Sequence, residues 1–170
     1  VLTPYYGKAR QMLGVAKNPY LGDSDLALQS LANKINRKDD FEPTDVAVFF
    51  GNPGEEGITV GDPYFNGKGP ERAGCTSCGA CMTGCRYNAK NTLDKNYLHL
   101  AQKYDCQIIA EHEVTEVMPI SENGSDGYEV KFRSSTKLLK KTNSVKTRGI
   151  IFAGGVLGTV KLLHQLKKTT

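Results

Sequence analysis

The chain has 170 residues, enough for one domain or for parts of two, and it is 39% apolar and 24% charged. These proportions are typical of a soluble globular protein, and no apolar run approaches the roughly 20 residues that a membrane-spanning helix needs. The net charge of +4 is modest, and its basic residues concentrate between Ser135 and Arg148 without interleaved aromatic residues, which favours a solvated hairpin over a nucleic-acid surface.

The start of the chain and the spacing of its cysteines indicate what kind of protein it comes from and in which compartment. The sequence opens at Val1 with no secretory signal, so we expect a piece of a longer protein. Four of the five cysteines lie within eleven positions, unlike the dispersed pairs of a secreted disulfide framework. This spacing favours metal ligands or reduced thiols, and we expect a cytoplasmic location.

The first 50 residues predict two short amphipathic helices and a strand. "LTPYYGKARQML" begins with Thr3 and Pro4, a good N-cap and first-turn pair. "GDSDLALQSLANKINRK" offers Asp23 or Ser24 as its cap and a helical stripe of leucines. "DVAVFFG" is a β-branched and aromatic run that ends in a turn, so it predicts a strand. From Gly51 to Gly74, seven glycines and three prolines predict a long irregular loop.

The next motif is "GCTSCGACMTGCR". Cys75, Cys78, Cys81 and Cys85 follow the spacing C-x2-C-x2-C-x3-C, which matches the run that holds a [4Fe–4S] cluster in bacterial ferredoxins. The glycines at 74, 79 and 84 would let backbone amides approach inorganic sulfur. However, no second run exists, and Arg86 stands where the ferredoxin pattern has proline.

Three interpretations of these cysteines therefore remain open. In the first, they bind an iron–sulfur cluster, with Cys85 or the remote Cys106 as the fourth ligand, and the chain is an electron-transfer module. In the second, they bind structural zinc in an interaction domain, although zinc sites usually place two C-x2-C pairs further apart. In the third, they are buried thiols.

The second half of the chain predicts an α/β arrangement. A helix is expected over "NTLDKNYLHLAQKYD", a short buried strand over "CQIIA", and a hairpin from "EVTEVMPI" to "YEVKFR". "SVKTRGIIFA" predicts another strand, which a glycine turn and the helix "VLGTVKLLHQLKK" follow. The fold class is thus mixed α/β: part of a doubly wound sheet with an antiparallel insert, after a helical and loop-rich N-terminal part. No G-x-G-x-x-G turn is present.

Several stretches, in order along nearly the whole chain, resemble the glucose–methanol–choline (GMC) flavin oxidoreductases, in the branch related to cholesterol oxidase. They are "LTPYYGKARQMLG", "VAVFFG", "DPYFNGKGPERAGCTSCGACMTGCRYNAKNTLDKNYL", "EVTEV", "GYEV" and "RGIIFAGGVLGTVKLL". The resemblance implies a parent enzyme that binds FAD and oxidises a sterol-like or other hydrophobic alcohol to a ketone by hydride transfer to the flavin.

The resemblance also implies a division of the chain. Residues 1–73 would form part of the substrate-binding or cap region, 74–90 the cysteine-rich loop, and 91–170 part of the FAD-binding domain. The family's phosphate-binding turn and its catalytic residues would lie in N- and C-terminal segments outside this chain, so no catalytic residue is assigned and the chain alone would be inactive.

Some cofactor contacts carry over to matching positions. "EVTEV" matches the strand beside the adenine, which assigns Val114 to the base, with Glu113 adjacent. "AGG" assigns Ala153, Gly154 and Gly155 to the strand end near the pyrophosphate or flavin, where a missing Cβ permits close approach. Asn91 opens the helix that follows the cysteines, in a stretch that lies near the flavin in the family.

The resemblance finally implies partners. Without the central strand of the sheet, apolar faces of "CQIIA" and "GIIFA" would be uncovered. We therefore expect missing segments of the same protein, a swapped element or another chain to cover them, and oligomerisation through these faces is one outcome. Nucleic acid is not expected.

Overall fold

A computed structural model describes residues 2–169 of the chain, with the side chains of residues 2–167. The chain divides into two compact units at Gln107, so that the cysteine loop lies in the first and the hairpin in the second. The assignment of 1–73, 74–90 and 91–170 to separate functional parts remains a prediction.

The first unit contains the three predicted helices in shortened form. They are α1 (Thr3–Met12), α2 (Asp23–Lys34) and α3 (Tyr97–Gln102), with short 3-10 turns at Lys38–Asp40, Ala80–Met82 and Leu93–Lys95. The caps differ from the expected ones, because α1 follows Leu2 and α2 follows Gly22. The carboxylate of Asp25 accepts the N–H of Gly22 at 2.9 Å, so the acidic residue acts from inside the first turn of α2.

Short antiparallel ladders connect the loops of the first unit. β1 (Ala16–Lys17) pairs with β2 (Asp45–Val46), and β3 (Thr59–Val60) pairs with β4 (Arg72–Ala73). The predicted strand "DVAVFFG" is therefore regular only in its first two residues. It continues as an extended segment whose partner is the far end of the cysteine loop, through the bridge between Val48 and Lys90.

The second unit is a three-stranded antiparallel meander with one helix against it. β5 (His112–Pro119) pairs with β6 (Tyr128–Ser134), and β6 pairs with β7 (Thr142–Thr147). The helix α4 (Val156–Thr169) packs against β5. The predicted hairpin and C-terminal helix are confirmed, as is the solvated basic turn, where Leu138 is 97% exposed.

Two predicted strands are wrong. "CQIIA" forms no strand, and Ile109 in it is 56% exposed. "SVKTRGIIFA" is a strand only up to Thr147, and Ile151 beyond it is 92% exposed. Both stretches are apolar enough for central strands, but the described residues offer them no neighbouring strand to complete a ladder. The described sheets are all antiparallel, so the doubly wound arrangement is not formed within this part of the chain.

None of the helices in residues 2–169 combines the length and apolar character that crossing a membrane requires.

Candidate functional site

The second unit contains an open cavity of about 340 Å³ between β5, the irregular segment 150–154 and α4. Val114, Ala153 and Gly154, three of the residues assigned to the cofactor from the sequence, all line it. His112, Ile151 and Thr159 are also among its lining residues. Residues that are far apart in the sequence thus line one mainly apolar surface. Such a surface suits a ligand with a planar, partly apolar ring.

The strand β5 presents Val114 beside an irregularity of the sheet. The register between β5 and β6 shifts between Val114 and Glu116, as in a β-bulge, and the hydroxyl of Thr115 donates to the carbonyl of Lys131 at 3.3 Å. Bulges of this kind re-aim side chains next to binding sites. Because β5 is an outer strand of the described sheet, one of its edges also has backbone groups that no strand uses.

The glycine turn leads directly into α4. A Cβ on Gly154 would meet no atom within 4 Å, so packing inside the described residues does not explain this glycine. Gly155 has φ of +79° and its carbonyl accepts the N–H of Thr159 at 3.0 Å, which begins the helix. An open backbone followed by a helix N-terminus fits a dinucleotide whose phosphates approach there.

The remaining two predicted cofactor residues lie elsewhere. The carboxylate of Glu113 pairs with Arg133 at 3.3 Å and does not line the cavity. Asn91 is buried in the first unit, where its side-chain amide donates to the carbonyl of Gly14 and to the hydroxyl of Tyr64, both at 3.2 Å. Its side-chain oxygen accepts from Arg72. A direct cofactor contact by either side chain stays a prediction.

The first unit contains a second cavity, of about 250 Å³, which all four cysteines of the run line. It is also lined by Val46, Val48 and Phe50, which are alternate residues of the extended segment. The cysteine loop is tied to that segment at both ends. The N–H of Cys75 donates to Phe49 at 3.0 Å, and the N–H of Asn91 donates to Ala47 at 2.8 Å.

The glycine that precedes the run has a packing explanation. A Cβ on Gly74 would lie 2.8 Å from the carbonyl oxygens of Phe50 and Glu55, so the close approach is to backbone. Gly79 and Gly84 have positive φ within the turns of the loop. Backbone packing and turn conformation therefore account for these glycines, without the close approach of backbone amides to inorganic sulfur that the sequence suggested.

Backbone N–H groups meet two of the four sulfurs. Ser77 donates to the Sγ of Cys75 at 3.4 Å, and Ala89 donates to the Sγ of Cys85 at 3.3 Å. Burial raises the pKa of Cys85, but N–H groups between residues 87 and 90 and the guanidinium of Arg72 outweigh it and hold that pKa below its ordinary value. These surroundings favour the thiolate form of Cys85.

The metal prediction receives no support from this geometry. All five cysteines are free, and within residues 2–169 no three His, Cys, Asp or Glu side chains are arranged so as to hold a metal ion. The four cysteines share a cavity without forming such a group.

A buried polar network behind the cysteine loop went unrecognised in the sequence. Arg72 is 1% exposed, and its Nη2 donates to the carbonyl of Ala89 at 2.8 Å and to Asn91. Its Nε and Nη1 have no hydrogen-bond partner among the described residues. Burial lowers the pKa of Arg72, against the attraction of nearby negative groups that include Cys85. Nothing in "PERAG" signals burial, because arginine at a strand start is usually exposed.

A second missed feature is the turn built on Asp62. Its carboxylate accepts four backbone N–H groups at 2.9 to 3.0 Å, from Tyr64, Phe65, Gly67 and Gly69. The run "GDPYFNGKG" carries a usable signal, since an aspartate before proline and glycines often caps a turn through its side chain. The irregular loop predicted over 51–74 is thus ordered from within.

Comparison with known proteins agrees with this arrangement. Residues 69–165 match the family model described as GMC oxidoreductase. A cholesterol oxidase of Acinetobacter baumannii is 45% identical over 169 residues, which is 97% of this chain and 30% of that protein. Cholesterol oxidases from two strains of Mycobacterium tuberculosis are 42% identical over 170 residues, covering 98% of this chain and 29% of theirs.

The search of solved structures gave no significant match. The chain spans about 30% of the length of the curated relatives that it matches. Because the family model covers more than half of the chain, and the cavity in the second unit falls inside the matched region, the chain belongs to the GMC oxidoreductase family.

Proposed function

We propose that the protein containing this chain is an FAD-dependent oxidoreductase that oxidises a sterol-like or other hydrophobic alcohol to a ketone. The observation that carries the proposal is the 42–45% identity, over nearly the whole chain, to proteins named cholesterol oxidase. When bound, the flavin would supply the acceptor for the hydride that leaves the alcohol carbon.

The part of this chain in that function is to bind the cofactor. Val114 would pack its side chain, which is 40% exposed, on the adenine ring, and the unpaired edge of β5 would offer backbone hydrogen bonds to it. Ala153 and Gly154 would leave room for the dinucleotide to lie against backbone. The first turn of α4 would stabilise its phosphates, because helix N-termini favour anions.

The catalytic acid–base residues are assigned to parts of the protein outside these 170 residues. The chain alone would therefore neither retain the flavin nor turn over substrate.

The test uses the full-length protein, purified and analysed for released flavin by chromatography. Mixing it with cholesterol in the absence of oxygen should bleach the visible flavin absorbance and yield one steroid ketone per flavin. The ketone product, which has no hydroxyl to oxidise, is the matched control and should leave the flavin oxidised.

Two results would contradict the proposal. One is a folded full-length protein that binds no FAD when supplied with it. The other is a flavin that no sterol or long-chain secondary alcohol reduces, whereas an unrelated donor such as a reduced nicotinamide does.

A further inference from the structure

We propose that the cysteine-lined cavity of the first unit is a thiol oxidation site, in which Cys85 reacts with a hydroperoxide and one of Cys75, Cys78 and Cys81 then closes a disulfide with it. The proposal does not depend on the flavin chemistry. It follows from the grouping of the four thiols at one cavity and from the hydrogen bonds and charges around Cys85.

The first step of the argument is proximity. Four thiols of one loop line a cavity of about 250 Å³, and all are free. Cys78 and Cys81 are exposed while Cys75 and Cys85 are half-buried, so a small oxidant reaches the cavity and a second thiol is at hand. The fifth cysteine, Cys106, is exposed but does not line this cavity.

The second step is the environment of Cys85. Its sulfur accepts the N–H of Ala89 at 3.3 Å, and the buried guanidinium of Arg72 is among the charges that act on it. Arg72 has two nitrogens without a hydrogen-bond partner among the described residues, so an anion nearby would offset its burial. The backbone N–H of Lys90 also acts on Cys85, and its side chain lines the cavity, where the ammonium donates to the carbonyl of Cys81 at 2.8 Å. These groups favour the thiolate, which is the form that attacks peroxide.

The chemistry balances in two steps. The Cys85 thiolate attacks the terminal oxygen of the hydroperoxide, so that an S–O bond forms and the O–O bond breaks. Cys85 becomes a sulfenic acid, hydroxide (or alkoxide) leaves, and the two electrons lost by the sulfur reduce the peroxide. A neighbouring thiol then attacks the Cys85 sulfur, the S–O bond breaks, and water leaves as the disulfide forms. A reducing thiol restores the starting state.

The sequence makes the test direct. Trypsin cleaves after Arg72 and after Arg86, so the peptide from Ala73 to Arg86 carries the four cavity cysteines and no other. The full-length protein is reduced, freed of reductant and exposed to one equivalent of hydrogen peroxide. Sulfenic acid is trapped with dimedone at early times, and the disulfide is measured by mass spectrometry.

We expect dimedone on Cys85 early, followed by loss of two hydrogens from this peptide, while Cys106 stays a thiol. In matched variants, Cys85→Ser should slow disulfide formation by at least about tenfold, because the favoured thiolate is gone, whereas Cys106→Ser should leave it unchanged. If Cys85→Ser fails to fold, the relative labelling of Cys85 and Cys106 in the unmodified protein still decides the question.

Three results would overturn the proposal. The first is oxidation of Cys106 at the same rate as the cavity peptide. The second is a cavity peptide that stays fully reduced. The third is stoichiometric iron and acid-labile sulfide in protein purified without oxygen, lost in Cys85→Ser, because the sulfurs would then be cluster ligands.

Discussion

The side-chain amide of Asn91 donates to the carbonyl oxygen of Gly14 at 3.2 Å, across 77 positions of the chain. The bond fixes the turn after α1 against the residue that directly follows the cysteine loop. Gly14 has φ of +56°, and a Cβ there would lie 2.6 Å from the amide nitrogen of Asn91 and from the ring of Tyr64. The buried amide of Asn91 can therefore reach its hydrogen-bond partner only because Gly14 has no side chain.

Gly14→Ala should lower the free energy of unfolding by about 2–4 kcal/mol, since it adds both left-handed strain and overlap with Asn91 and Tyr64. Gly54→Ala is the matched control, because Gly54 has φ of +86° but open space around a Cβ. The control should lose only about 1–2 kcal/mol from backbone strain. Urea denaturation measures both, and equal losses would show that the packing against Asn91 contributes nothing.

Arg72→Ala should destabilise the protein by about 3–5 kcal/mol, because it leaves the carbonyl of Ala89 and the side-chain oxygen of Asn91 buried without their donor. Asn91→Ala removes the partner, and the double variant completes a cycle. The two losses should fail to add by about 0.5–3 kcal/mol. Additive losses would mean that the two side chains do not interact. Arg133→Ala, whose partner Glu113 is exposed, should lose less than about 1 kcal/mol.

Asp62 should make stability depend on pH in the acid range. Burial raises the pKa of Asp62, but its four backbone hydrogen bonds outweigh this and lower the pKa below 3.8. A carboxylate whose folded pKa is depressed stabilises the fold above its unfolded pKa, and that stability is lost as pH falls through the folded value.

Asp62→Asn should therefore lose stability at neutral pH, by about 1–3 kcal/mol, and should lose less than the unmodified protein on acidification below about pH 4. The exposed Asp39 is the control position, and Asp39→Asn should keep the acid dependence of the unmodified protein. Denaturation curves across this pH range measure the effect. Identical acid profiles for Asp62→Asn and the unmodified protein would refute the role given to the carboxylate.

Gly154→Leu should weaken FAD binding by at least about tenfold in the full-length protein, because the new side chain would fill the cavity beside Val114. Gly149→Leu is the matched control. Both glycines have open space at Cβ and neither has a positive φ, but only Gly154 lines the cavity. Flavin titration by fluorescence gives the affinity of each variant for FAD. Equal affinities would show that the cavity is not part of the cofactor site.

The sequence was most informative where a structure depends on neighbours in the chain. The alternation from Glu113 to Ile120 and from Tyr128 to Arg133 predicted the hairpin, because each strand finds its partner across a short turn. The amphipathic patterns of α1 and α2 were equally local. The assignment of Val114, Ala153 and Gly154 to the cofactor came from resemblance and stays a prediction, and the structure shows that the three residues line one cavity.

Features that depend on distant partners were missed. "CQIIA" has the composition of a buried strand, but a strand forms only beside another strand with which it can share hydrogen bonds. The pattern of a single segment does not show whether such a neighbour exists. The burial of Arg72 depends on Asn91 and Ala89, which follow it by 19 and 17 positions. A polar side chain that becomes buried through such contacts has no periodic signature.

The exposed isoleucines of the second unit have a practical consequence for preparing this protein. Ile109 and Ile151 are 56% and 92% exposed, and Leu157 in the first turn of α4 is 90% exposed. Aliphatic side chains left in water at this density make a polypeptide self-associate and bind hydrophobic dyes. Light scattering and dye fluorescence of the 170-residue chain, compared with the full-length protein, would therefore report how much of this surface the remaining sequence conceals.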